Sequence, residues 1–134
     1  MTSNHVVRGQ SALMVGVDSA LAAGALLAPG RTLRLLGHRE PSEDAIWLFR
    51  RCGPIWATFA AAHAVAATRG ERRDWWALSW LRATEVATDL VWSRSPAFDR
   101  RHRVVLAGAG AANLAMTIAY AARAREIARR VKSP

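Results

Sequence analysis

The chain has 134 residues, room for one domain with a modest core, and carries a net charge of +9. Lysine is almost absent and the arginines gather at the ends of apolar blocks, a distribution that suits lipid headgroups and excludes a nucleic-acid-reading stripe. The single cysteine, Cys52, excludes an intramolecular disulfide and a multi-cysteine zinc site.

Apolar residues make up 51% of the chain, charged residues 22%, and there are six tryptophans. Four apolar blocks stand out, over residues 11–27, 45–67, 75–93 and 104–122. Each is near the ~20 residues that cross ~30 Å of hydrocarbon. The polar residues within the blocks are too few for the solvated face of a soluble bundle. The expected fold is therefore all-α: one integral membrane domain over residues 1–134, a four-helix transmembrane bundle with helices near 10–28, 43–68, 74–94 and 96–130. A short interfacial segment follows the first helix, and a basic helical extension ends the chain.

In chain order, residues 1–9 read as a polar lead-in, and the first block as a retained helix, because Pro29-Gly30 follows it in place of a cleavage site. Asp18 lies in the middle of that aliphatic run and has to pair, protonate or meet water. Arg31 to Gly37 alternates leucine with arginine, as on a headgroup surface. Ser42, followed by Glu43 and Asp44, supplies an N-cap for the second helix. In that helix Arg50 and Arg51 can snorkel, Gly53-Pro54 predicts a kink, and Trp56 and His63 share a face with Phe49 and Ala60. One intramembrane histidine gives no support to a bis-histidine haem site.

Gly70 reads as a C-cap and Asp74 as the cap of the third helix. Trp75 and Trp76 mark one membrane interface, with Trp92 and Trp47 at the other. On the third helix Arg82, Glu85 and Asp89 fall at i, i+3 and i+7 and stack along one face, with Trp75 and Leu78 above them. Ser95-Pro96 predicts the start of the fourth helix. There Gly108 and Ala112 suit a close helix approach, while Gly110, Asn113, Thr117 and Tyr120 form a polar stripe.

The candidate site collects these inward groups. Arg82 is expected to pair with Glu85, which leaves Asp18 and Asp89 without a cation and able to act as an acid and base pair. Asp18, Arg82, Glu85 and Asp89 are the catalytic candidates. Trp56, His63, Trp80, Asn113, Thr117 and Tyr120 are the substrate-binding ones. The absence of a nucleotide loop, metal spacing or nucleophile elbow predicts no cofactor.

The stretch LLAPGRTLRLLGHREP, followed by LFRRCG, resembles small bacterial four-span families of unknown function, neighbours of the DoxX-like proteins. The resemblance implies four spans in a bacterial inner membrane, and the basic tail favours both termini in the cytoplasm. In layout the chain is similar to the four-span sterol isomerase and sigma-2 receptor group. Its acidic first span resembles that of the small multidrug resistance transporters. Three readings follow. The first is an intramembrane enzyme that isomerises, cyclises or opens an epoxide on a lipophilic substrate. The second is an accessory or structural subunit in which the charges staple helices together. The third is a small proton-coupled transporter. The expected partners are membrane lipids and a lipophilic small molecule, with a homo-oligomer or larger membrane complex left open and no nucleic acid.

Overall fold

The computed structural model describes residues 4–132, and among these it contains helices and no strands. Five helices follow one another: α1 (Asn4–Leu27), α2 (Pro29–Leu35), α3 (Glu43–Thr68), α4 (Arg72–Trp92) and α5 (Arg100–Lys132).

This corrects the four-helix expectation in three ways. The segment after α1 is a helix in its own right, because Pro29 opens it at a position where the missing N–H costs nothing. It also buries Pro29 and Leu33. The basic tail is no separate extension but the end of α5, whose 33 residues span roughly 50 Å. And the four-span bundle does not hold: among the described residues only α1 and α5, over Asn4–Leu27 and Arg100–Val131, are long and apolar enough to cross a membrane. Arg50, Arg51, Pro54 and His63 in α3 lower its mean hydropathy. So do Arg72, Arg73, Asp74, Arg82, Glu85 and Asp89 in α4.

The helix ends follow their capping chemistry. Helix α1 is already formed at Asn4, well inside the expected lead-in, and buries Val7 fully in the core. Ser42 caps α3 by accepting from the Ala45 N–H at 3.2 Å. The helix then continues through Pro54. Helix α5 starts at Arg100 rather than at Pro96, since Ser95 instead caps a turn at Ala97 N and Asp99 accepts from His102 N at 2.9 Å. Helix α4 begins two residues early: Glu71 is its N-cap, and the Asp74 carboxylate receives the Glu71 N–H at 2.9 Å.

Asp74 also takes Arg69 Nε at 3.1 Å and Nη2 at 2.6 Å. These bonds hold its carboxyl below the usual range, the Arg69 hydrogen bond contributing most. A depressed carboxylate contributes stability above its unfolded pKa of about 3.9 and loses it as pH falls through the folded value. Asp74→Asn removes the ion pair with the half-exposed Arg69 and should therefore lower stability by about 0.5–1 kcal/mol at neutral pH. It should also flatten the acid limb of a stability-versus-pH curve below about pH 4. An unchanged acid limb would remove Asp74 from that role.

The long helices pack as two antiparallel hairpins, α1 along α3 and α4 along α5, which meet over smaller areas, α3 against α4 and α1 against α5. At one end Val7, Ala66, Trp75, Leu78, Met116, Tyr120 and Ala124 join all four in one apolar cluster. At the other, Ala25, Leu33 and Phe49 join α1, α2 and α3. There the second hairpin is tied on through its loop. Arg39 N donates to Ala97 O at 3.4 Å, and the His38 and Phe98 rings meet edge-on at 5.6 Å. Gly37 is held at φ +89°, a left-handed conformation that suits glycine, and a Cβ there would run into the His102 ring. The close approach of α4 to α5 occurs at Gly110, where a Cβ would lie 3.3 Å from Asp89 Cβ. The expected pair Gly108 and Ala112 instead lies on the outer face, where a Cβ on Gly108 would meet no other element within 4 Å.

Polarity is layered along the bundle. The end holding α2 and the α4–α5 loop carries nine arginines (31, 34, 39, 50, 51, 94, 100, 101 and 103) against four carboxylates. The end holding both termini carries nine basic residues (8, 69, 72, 73, 123, 125, 129, 130 and 132) against three. Between them lie only Arg82, Asp18, Glu85 and Asp89. In this middle layer Ser11, Asp18, His63, Ser79, Arg82 and Asn113 are buried. Leu13, Val17, Ile55, Trp80, Leu114 and Ile118 are exposed.

Candidate functional site

Asp18 of α1, His63 of α3 and Arg82 of α4 meet at the centre, 1%, 0% and 3% exposed. Groups this deep cannot hold charge without a partner. The Arg82 guanidinium bonds to the Asp18 carboxylate through Nη2. Its Nε donates to His63 Nε2 at 3.0 Å. The partner expected for Arg82 was Glu85, one turn on in the same helix; the structure places Asp18, 64 residues away, in that role.

The protonation pattern follows from the donors. Guanidinium nitrogens only donate, so His63 Nε2 accepts, and its proton sits on Nδ1 of a neutral ring. Nδ1 then donates to Ser11 Oγ at 2.8 Å, and the Ser11 hydroxyl in turn donates to the His63 carbonyl at 3.3 Å. His63 Nε2 and Asp18 Oδ2 are 3.8 Å apart and share Arg82 rather than bonding to each other. No buried nitrogen or oxygen of Ser11, Asp18, His63 or Arg82 lacks a partner. One cation, one anion and one neutral ring thus form a closed chain across both hairpins.

Aromatic rings wall this chain in. Arg82 Cζ lies 5.3 Å from the centre of Phe59. The Tyr120 ring stands edge-on to His63 at 5.8 Å and stacks on Trp75 at 5.7 Å. Trp75 is fully buried, and its Nε1 donates to Gly70 O at 3.0 Å. It is a core residue, not an interfacial one as expected; Trp76, under Arg125, is the half-buried member of the pair.

A second group lies toward the α2 end. Asp89 accepts from Asn113 Nδ2 at 2.8 Å. Thr117 Oγ1 donates to Asn113 O at 2.8 Å, and Ser79 Oγ donates to Thr117 O at 2.9 Å, so the polar stripe of α5 is stitched to α4. Glu85 is half-buried and makes no hydrogen bond or ion pair among the described residues. Its electrostatic neighbours are Asp89, Arg82 and Asp18, with Cys52 across on α3.

The expected residues therefore divide. Asp18, His63, Arg82 and Tyr120 come together in the centre, and Glu85, Asp89, Asn113 and Thr117 beside it. Trp56 packs on Phe49 at 5.3 Å, in the cluster near α2. Trp80 is 73% exposed and points away from both groups. Ser11 and Phe59 were not anticipated. The signal for Ser11 was its spacing of seven from Asp18, which places both on one face of α1. Among the described residues no group of three or more His, Cys, Asp or Glu could hold a metal ion.

Among the described residues, fold and site together define an all-helical arrangement of two hairpins closed over an ionised Asp18–Arg82 pair bonded to His63. No protein-family model, curated protein or solved structure matches the chain.

Proposed function

We propose that the protein is a small membrane component with an accessory or structural role, in which Asp18, Arg82 and His63 staple two helical hairpins together. The observation that carries this reading is that all buried polar atoms of the staple are bonded within the protein, which leaves Asp18 no free proton to give a substrate. Burying Asp18 and Arg82 while leaving Leu13, Val17, Trp80 and Ile118 outside inverts the usual order of a water-soluble domain. Lipid is the solvent that order suits, and α1 and α5 are the helices able to cross it. Both ends carry nine basic residues, so charge sets no orientation.

An alkaline carbonate wash of cell membranes should leave the full-length protein in the pellet. Asp18→Asn should then lower the amount of folded protein recovered in mild detergent. Release by the wash would defeat the membrane reading; full recovery of folded Asp18→Asn would defeat the staple.

The intramembrane enzyme acting on a lipophilic substrate remains as a second reading, now resting on Glu85 and Asp89. The observation favouring it is that neither carboxylate makes an ion pair among the described residues, which leaves both able to exchange a proton.

A further inference from the structure

We propose that Glu85, Asp89 and Asn113 form a binding site for the ammonium head of a primary amine that carries an apolar tail. The inference goes beyond the staple reading and draws on different side chains.

Charge supplies the first argument. The middle layer holds one cation, Arg82, and its hydrogen bonds go to Asp18 and His63. Glu85 and Asp89, one turn apart on α4, are left as neighbouring carboxylates with no ion pair to any Lys, Arg or His among the described residues. The groups around them are Asp18 on α1, Cys52 on α3, Asn113 on α5 and, on their own helix, Arg82, the one cation, whose hydrogen bonds go to Asp18 and His63.

Asn113 supplies the second argument. It is 7% exposed; its Nδ2 is spent on Asp89, and its Oδ1 is buried with no hydrogen-bond partner. A buried amide oxygen without a donor has given up its hydrogen bonds to water and gained none in return. Oδ1 belongs to the same amide whose Nδ2 bonds Asp89 Oδ2 at 2.8 Å, so a donor placed beside that carboxylate is within reach of both.

Chemistry then selects the ligand. The unused atoms are all acceptors: Asn113 Oδ1, the second Asp89 oxygen and the Glu85 carboxylate. An ammonium group brings three donors and no acceptor, and it supplies the missing positive charge. Leu90 and Leu114, next in sequence to Asp89 and Asn113, are 39% and 48% exposed and suit an alkyl body.

The test uses the full chain in nanodiscs of zwitterionic phosphatidylcholine, with radiolabelled dodecylamine at neutral pH and empty nanodiscs as the blank. Wild-type protein should show a saturable excess. Glu85→Gln with Asp89→Asn should weaken it about tenfold or more, and Asn113→Leu, which keeps both carboxylates, by a similar factor. Dodecyltrimethylammonium, with the same charge and chain but no N–H, should not displace the amine. The absence of an excess, or an excess unchanged in the variants, overturns the site. Equal displacement by the trimethyl compound, or displacement by sodium chloride against choline chloride, overturns the ammonium assignment. Unfolding midpoints are read on the same samples, and Asn113→Leu carries the test where the double variant does not fold.

Discussion

Arg82→Met should lower stability by about 3–5 kcal/mol, the largest loss from a single polar side chain in this protein. The substitution strips the guanidinium from Asp18 and leaves a carboxylate 1% exposed with no counter-charge, while His63 Nε2 loses its donor in the same step. Most of the cost is the stranded charge rather than the lost bond. The double variant Asp18→Leu, Arg82→Met removes both charges and should return to within about 1 kcal/mol of wild type, or above it. Arg82→Lys should fall between, because one ammonium lacks the planar fork that serves Asp18 and His63 together. Thermal unfolding in mild detergent, followed by near-ultraviolet circular dichroism of the tryptophans, checks the series. A double variant as damaged as the single one would show that Arg82 acts through something other than its charge.

The same cluster shows what could be read from sequence and what could not. Helical spacing put Arg82, Glu85 and Asp89 on one face, and Asp18 and His63 stood out as polar residues in apolar runs. Which carboxylate Arg82 takes was not legible, because Glu85 is near in sequence and Asp18 is near only after the two hairpins pack together. Trp75 and Trp76 pose the same problem: adjacent residues on a helix lie about 100° apart, so one can be core and the other rim, and composition does not say which. Helix ends were displaced where two caps compete, as at Ser95 and Asp99. The count of spans failed for a physical reason. Charges that face inward along α4 reduce its mean hydropathy as much as charges facing out would, so an apolar block with Trp at both ends read as a span and is not one by composition.

The second large effect is expected at Trp75. Trp75→Ala should cost about 3–5 kcal/mol, the range for emptying a buried aromatic site. Three losses combine there. The ring is fully buried in the cluster that joins all four long helices, it stacks on Tyr120 at 5.7 Å, and its Nε1 satisfies the Gly70 carbonyl at 3.0 Å. Tyr120 in turn stands edge-on to His63, so the cavity opens beside the staple. Trp75→Phe should recover most of the packing but leave the Gly70 carbonyl without its donor, a cost of about 1 kcal/mol. The control is Trp80→Ala on the same helix: at 73% exposure it should change the unfolding midpoint in detergent little. Equal damage from both substitutions would mean that Trp80 is covered in the assembled protein, and its exposed ring would then mark a contact with another chain rather than with lipid.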